Sequence, residues 1–369
     1  MNGNKNMKRI GYVDIPLKRV HVELTNICNF DCVFCPKDQM KRPYGYMDVD
    51  LAKRIIDELK TKNICEKITF HIMGEPTLHP RFFEILDYAR EKEMNVGITT
   101  NGAGLSGETG RRLIAYPMYQ LDISLQTPDE KSFPLRKARN LPFEKYVNGI
   151  IDFIRAYNIK EKDTILKIRF LNTRFSSKKM SRKINSISIN STADELRKNF
   201  AFWANRIYDV LDVHGEKRDN ALENLNKLVS YKWNVVEIYK NIFFETYILS
   251  DWTDAFNNGD IRDAWAGYCF GMRDHFGILY NGDVVLCCID INGHTSIGNV
   301  QQSSLEEILS SPQVKRIMDG FKTFRFVHPY CKKCQGSSSV TGWMLKPVGH
   351  LLSLKVLKPF FYKHYTLWK

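Results

Sequence analysis

The chain has 369 residues, 43% of them hydrophobic, which is enough for a sizeable core and, by length, for about two domains. Its 54 basic residues outnumber 41 acidic ones, and the net charge of +13 suits nucleic acid, an anionic membrane surface, a phosphorylated substrate or an acidic protein without choosing among them. No apolar run reaches the roughly 18 residues of a membrane span and no signal-peptide stretch opens the chain, so the expectation is a cytoplasmic protein whose nine cysteines are metal ligands or catalysts before they are disulfides.

Short β-branched runs predict strands at residues 20–24, 67–72, 95–99, 119–126 and 164–171, separated by amphipathic helical stretches. One helix carries Leu51, Ile55, Ile56 and Leu59 on one face behind an Asp cap at Asp48 or Asp50. A second is expected to begin at Pro80, and a third carries Phe143, Val147, Ile150, Ile151 and Ile154. This alternation predicts a parallel α/β sheet, open or curled into a barrel, with its working groups at the C-terminal strand ends. On the fourth strand Tyr119, Leu121, Ile123 and Leu125 alternate with Gln120, Asp122, Ser124 and Gln126, so one face is polar and would line a site. On the fifth, Lys167 and Arg169 lie opposite Ile168 and Phe170.

Residues 176–240 lose the strand alternation and are basic, with helical spacing at 193–213 and 221–233, before a last strand at 243–249. They read as a helical insertion that caps the barrel mouth or docks a partner. The basic stretches at 176–183 and 355–369 read as solvated loop and tail.

The first strand is followed by CNFDCVFCP, residues 28–36, in which Cys28, Cys32 and Cys35 supply three thiols and no fourth. A structural zinc site takes four protein ligands, whereas a 4Fe-4S cluster on three thiolates keeps one iron open for chemistry. This C-x3-C-x2-C run, with the aromatic Phe34 inside it, resembles the signature of the radical S-adenosylmethionine (SAM) superfamily. The resemblance extends to Met73-Gly74-Glu75-Pro76 after the second strand, similar to the superfamily's Gly-Gly-Glu-Pro stretch with methionine in the first place, and to Asn101 and Ser124 at the next two strand ends. It implies a partial (β/α)6 barrel, SAM chelating the open iron, and SAM contacts from Phe34, Met73, Gly74, Glu75, Asn101, Ser124 and Arg136, with Arg136 on the SAM carboxylate or on substrate.

Towards the C-terminus, residues 278–286 around Asn281-Gly282-Asp283 predict a β-hairpin, flanked by Cys269 and Cys287 and followed by the pair Cys331 and Cys334. Four thiols suit zinc or a second 4Fe-4S cluster. Beside the radical SAM resemblance the pattern is similar to that superfamily's SPASM/twitch auxiliary domain in a shortened, single-cluster form, Cys288 being an alternative to Cys287. Cys65 reads as a small buried hydrophobe. The division expected is a barrel at 1–175 and 241–265, an insertion at 176–240, an auxiliary domain at 266–340 and a tail at 341–369.

A fully ligated second cluster implies electron transfer, hence a net two-electron oxidation, as in superfamily dehydrogenases that act on a secondary alcohol of a sugar or cyclitol. Modification of a ribosomal peptide is the first alternative, although only 27 residues precede Cys28, few for a fused leader-binding domain. A zinc- or cluster-containing nucleic-acid-binding protein is the second, and MGEP weighs against it. The expected electron donor is an acidic flavodoxin or ferredoxin, which a basic surface would attract. Arg169, Lys167, His71, Glu245 and Tyr247 are candidates for proton transfer by strand position alone.

Overall fold

A computed structural model describes residues 8–157, 163–174, 187–249 and 260–352. A small antiparallel hairpin, β1 (Lys8–Ile10) and β2 (Val13–Ile15), leads into one ten-stranded sheet. Its strands are β3 (Arg19–Val22), β4 (Ile68–Phe70), β5 (Val96–Thr100), β6 (Gln120–Gln126), β7 (Ile165–Asn172), β8 (Val235–Tyr239), β9 (Ile242–Ile248), β10 (His275–Ile278), β11 (Asp283–Val285) and β12 (Ser296–Asn299). The order across the sheet is β12-β11-β10-β3-β4-β5-β6-β7-β9-β8. From β3 through β7 to β9 every neighbour is parallel, which gives the six strands of a partial (β/α)6 barrel.

The helices between them are α1 (Val49–Thr61), α2 (Phe82–Glu91), α3 (Glu108–Leu113), α4 (Phe143–Tyr157), α5 (Ala193–Leu211) and α6 (Glu216–Leu225). After β12 come α7 (Leu305–Leu309), α8 (Pro312–Lys322), α9 (Pro329–Cys334) and α10 (Val340–Leu351). Asp48 caps α1, its carboxylate accepting from the Leu51 N–H at 3.0 Å, and Leu51, Ile55, Ile56 and Leu59 are all buried as the periodicity requires. Pro80 falls in the turn before α2 and not in its first turn; Pro76 instead opens a short 3-10 helix.

Strand alternation sorts the barrel cleanly. Leu121, Ile123, Leu125, Leu166, Ile168 and Phe170 face the helices and are wholly buried, while Asp122, Lys167 and Arg169 face inward. The helical stretch before the last strand proves to be part of the barrel wall. Parallel β7 and β9 need a crossover between them, and α5 packs there through Leu196, Phe200, Trp203 and Ile207. The Phe200 ring stands 4.5 Å from Phe170 and 5.2 Å from Phe244, centroid to centroid. The second helix of this stretch is Glu216–Leu225, earlier than expected, and residues 235–239 form strand β8, antiparallel to β9. The basic stretch at 176–183 and the tail at 355–369 lie outside the described residues, but residues 341–351, expected as tail, belong to the helix α10.

The expected hairpin forms as β10 and β11, with Gly282 at φ +88° in its turn. Its place was not expected: β10 pairs in parallel with β3, so the auxiliary segment extends the barrel sheet beyond its first strand. No helix among the described residues is long and apolar enough to cross a membrane.

Trp203 is fully buried and its indole N–H donates to the Pro128 carbonyl at 2.9 Å, tying α5 to the loop after β6. Trp203→Ala should cost about 3–5 kcal/mol in denaturant unfolding, far more than a surface substitution on the same helix.

Candidate functional site

The three-cysteine loop follows β3 and is gripped by three other strand-end loops. The Glu75 N–H donates to the Ile27 carbonyl at 2.8 Å, the Asp31 N–H to Arg136 at 3.2 Å and the Val33 N–H to Leu135 at 2.9 Å. The Asn101 amide reaches Cys28 Sγ at 3.6 Å and Asn29 Oδ1 at 2.7 Å. Gly74 sits at φ +73°, where a Cβ would overlap the carbonyl oxygens of Thr25 and Ile27. The MGEP loop and the cysteine loop are therefore in backbone contact, which only glycine permits.

Glu75 is 2% exposed and its carboxylate accepts from the Asn101 N–H at 2.6 Å and the Thr77 hydroxyl at 2.7 Å. Burial raises its pKa, and its oxygens are engaged in joining the β4 and β5 loops. Arg136, expected on SAM or substrate, is also 2% exposed and donates to the carbonyls of Ser124 at 2.7 Å and Leu125 at 3.1 Å, with Phe30 beneath its guanidinium at 4.7 Å. Among the described residues it has no carboxylate partner, and the groups that favour its charge are Cys32, Tyr146, Cys28 and Cys35. Burial pushes the Cys35 thiol up to about 12, with Cys32 adding to the shift, so these thiols ionise only with a metal to receive them. A buried cation facing three thiols fits an anionic cluster.

Glu23, just past β3, is wholly buried and collects Arg42 at 2.9 Å, the Tyr280 N–H at 3.1 Å and the backbone of Met73. Arg42 also donates to the Ile291 carbonyl at 2.6 Å, and Asn292 bonds Lys41 and Gln39. The segment after Cys35 is thus strapped to the auxiliary hairpin. An apolar cluster of Ile72, Met73, Leu279, Val285 and Ile291 joins the MGEP loop to the hairpin, with Cys35 and Cys288 both packed against it. Phe34 belongs to a second cluster with Leu135, Leu171, Ile189 and Leu249.

The barrel interior is charged. Arg169 lies 3.0 Å from Asp122 and 3.1 Å from Glu245, and Lys167 is 3.9 Å from Glu245. Gln120 bonds both Asp122, at 2.8 Å, and Lys67, at 3.1 Å. His71 is half-buried at the end of β4, its ring 5.8 Å from that of His21 on β3, and burial together with Arg169 lowers its pKa to about 4. Tyr247 is exposed, and its pKa is raised by desolvation of the phenol and by Cys288. Of the five proton-transfer candidates, three are thus gathered into one ion network. Asp122, Lys67 and His21 join the same interior; alternation had put Asp122 on the polar face, whereas nothing local marked His21.

The auxiliary thiols converge from three segments. Cys269 and Cys287 flank Gly271, and Cys331 and Cys334 share one face of α9. Cys269 is pushed up to about 11, by burial first, with Cys334 adding to it. Cys287 is raised by burial and by Cys269, whereas the pKa of Cys288 is lowered by His275, which outweighs burial. The two neighbours therefore look to opposite sides, Cys287 to the thiols and Cys288 to the histidine. All nine cysteines are free, and Cys65 is buried in the core. Four thiols accept either zinc or a cluster by donor chemistry alone.

The grip on the cysteine loop is testable at Gly74. Gly74→Ala should lower iron from about eight to about four per chain after anaerobic reconstitution, because only the three-cysteine loop is displaced; unchanged iron would show that the close approach is dispensable.

Residues 22–173 match the family described as Radical SAM superfamily, and residues 269–335 match SPASM, an iron-sulfur cluster-binding domain. The mycofactocin maturase MftC of Mycobacterium tuberculosis is 37% identical over 106 residues, 28% of this chain and 26% of that protein. The S-adenosyl-L-methionine-dependent 2-deoxy-scyllo-inosamine dehydrogenase of Niallia circulans is 32% identical over 82 residues, 22% of this chain and 29% of that one, and supports the same layout. The matches span only about a quarter of the length of these relatives. The SAM-bound structure of Streptococcus suis SuiB shares the fold, at a TM-score of 0.54 and 15% identity over 88% of this chain and 74% of that one. These domains bring SAM and two 4Fe-4S clusters. The chain carries a radical SAM domain at residues 22–173 and a C-terminal SPASM domain at residues 269–335.

Proposed function

We propose that this chain is a dehydrogenase-like radical SAM oxidoreductase acting on a secondary alcohol of a sugar or cyclitol. The carrying observation is the pairing of an incomplete and a complete thiol set, three and four cysteines, in one chain, with the segment after Cys35 hydrogen-bonded to the auxiliary segment at Ile291 and Asn292. In this reading Cys28, Cys32 and Cys35 hold the SAM cluster, and Cys269, Cys287, Cys331 and Cys334 the auxiliary one. Bound there, SAM and its cluster would supply hydrogen-atom abstraction from the substrate, and the auxiliary cluster a one-electron acceptor.

The protein's own work is placement and proton removal. Met73, Gly74, Asn101 and Ser124 frame SAM at the strand ends, and Phe34 packs the floor beside them. Glu75 and Arg136 act as positioning residues, since their polar atoms brace neighbouring loops. Converting an alcohol to a ketone removes one hydrogen atom, one proton and one electron. Arg169, Lys167 and Glu245 are tied into ion pairs and Tyr247 holds its proton, which leaves His71, neutral above about pH 4, to take the hydroxyl proton. The charged interior offers donors and acceptors to a polyhydroxylated substrate.

A peptide substrate is the second reading. It is favoured by the match to a maturase and by the fold shared with SuiB bound to its precursor peptide SuiA, at a TM-score of 0.50 and 15% identity over 87% of this chain and 71% of that one. For the donor we propose an acidic flavodoxin or ferredoxin. A recess of about 590 Å³ beside Cys28 is rimmed by Lys37, Lys137 and Arg139 as well as Asp31 and Asp38. Nine free thiols suit a cytoplasmic setting.

Anaerobically reconstituted protein should hold about eight irons and form 5'-deoxyadenosine with SAM and a flavodoxin, more slowly as salt rises. Absence of 5'-deoxyadenosine would end the enzyme reading, and a rate indifferent to salt would end the docking reading. Deuterated cyclitols and sugars should pass label to 5'-deoxyadenosine; label arriving only from peptides would favour the maturase. His71→Asn should keep 5'-deoxyadenosine formation but slow ketone formation by roughly 10²–10⁴-fold. In wild type, ketone formation should show no loss near pH 6.5, where an unshifted imidazole would titrate.

A further inference from the structure

We propose that His21, His275 and Cys288 form a mononuclear site for a divalent transition metal, best suited to zinc, on the inner face of the sheet beside the auxiliary thiols. One ring nitrogen of each histidine and Cys288 Sγ all lie within 4.8 Å of one another. Cys288 Sγ and His275 Nε2 are 4.0 Å apart, close to the roughly 3.6 Å that a tetrahedral ion with zinc's usual bond lengths would impose.

Three features mark these residues as ligands and not as packing. His21 is 7% exposed and its Nδ1 is buried without a hydrogen-bond partner, an expensive condition that a ligand would relieve. His275 turns its Nδ1 to Asp274 Oδ2 at 3.3 Å, the carboxylate–histidine arrangement that orients metal-bound imidazoles, and Asp274 is held in turn by Arg19 at 3.5 Å. The third is register: His275 pairs with Arg19, two residues before His21, across the parallel β10–β3 ladder, so both imidazoles project from one face with their ring centroids 5.2 Å apart.

Two imidazoles and a thiol select zinc or a similar borderline-soft ion over magnesium or calcium. Three protein ligands leave a fourth position open, the pattern of a catalytic and not a structural site. That position adjoins the interior shared with His71 and Tyr247, so a substrate oxygen or a water would complete it, and the ion would acidify the group it holds. The site does not depend on the alcohol-oxidation reading, and its test needs no turnover.

The test uses anaerobically reconstituted holoenzyme treated with one equivalent of zinc chloride and desalted, followed by metal counting and zinc-edge X-ray absorption. The expected result is about one zinc per chain with two nitrogen ligands, one sulfur and one lighter atom, at unchanged iron. Cys288→Ala and His21→Gln should each reduce retained zinc at least tenfold while iron stays constant; His71→Gln should retain it. Zinc ringed by four sulfurs, zinc undiminished in both ligand variants, or no zinc retained by wild type would each overturn the site. Should a variant lose iron as well, the ligand count in the wild-type spectrum decides alone.

Discussion

The arrangement of the whole site depends on one buried ion pair, Glu23 with Arg42. Glu23 leaves β3 immediately before the cysteine loop, and its carboxylate gathers Arg42, the turn of the auxiliary hairpin at Tyr280 and the backbone of Met73. Burying a carboxylate costs several kcal/mol unless its oxygens are satisfied, and here three separate pieces of chain must be in place to satisfy them. The same contact that makes the pair tolerable therefore sets the cysteine loop, the SAM-side loop and the auxiliary segment in one mutual geometry.

The barrel interior follows another rule. Asp122, Lys167, Arg169 and Glu245 lie on adjacent strands in matched register, so opposite charges meet across β6, β7 and β9 without long side-chain excursions. This neutralises the wall while leaving it polar. Charges already paired are poor proton acceptors and good hydrogen-bonding surfaces. The uncharged imidazole of His71 stands out against them for that reason.

Much of this was legible in the chain. Alternation on the fourth strand separated Leu121 and Ile123 from Asp122 and Gln120 correctly, because a strand with one helix-facing side must show a period of two. The cysteine spacings carried both thiol sets, and Asn281-Gly282 announced the hairpin. What stayed hidden was non-local. The β10–β3 pairing joins residues more than 250 positions apart, and His21, a lone histidine in a strand, acquires its meaning only when His275 and Cys288 arrive from that distance. Helix α5 was recognised as a helix but not as the crossover between β7 and β9, since period alone does not say against which surface an apolar face packs. The end of the following helix was misplaced because its outer face is exposed and little distinguishes it from the turn that leads to β8.

The pairing of β3 with β10 also orders events in time. β3 is among the first barrel strands to leave the ribosome, yet one of its edges stays unpaired until residues 275–278 are made. Until then that edge offers open backbone donors and acceptors, a template for the wrong partner, and the segment after the cysteine loop lacks its strap to the hairpin. Metal delivered to Cys28, Cys32 and Cys35 during synthesis would meet a loop not yet in shape. Maturation of this protein should therefore run from the C-terminal segment inward, with the reactive centre assembled last although its ligands are translated first.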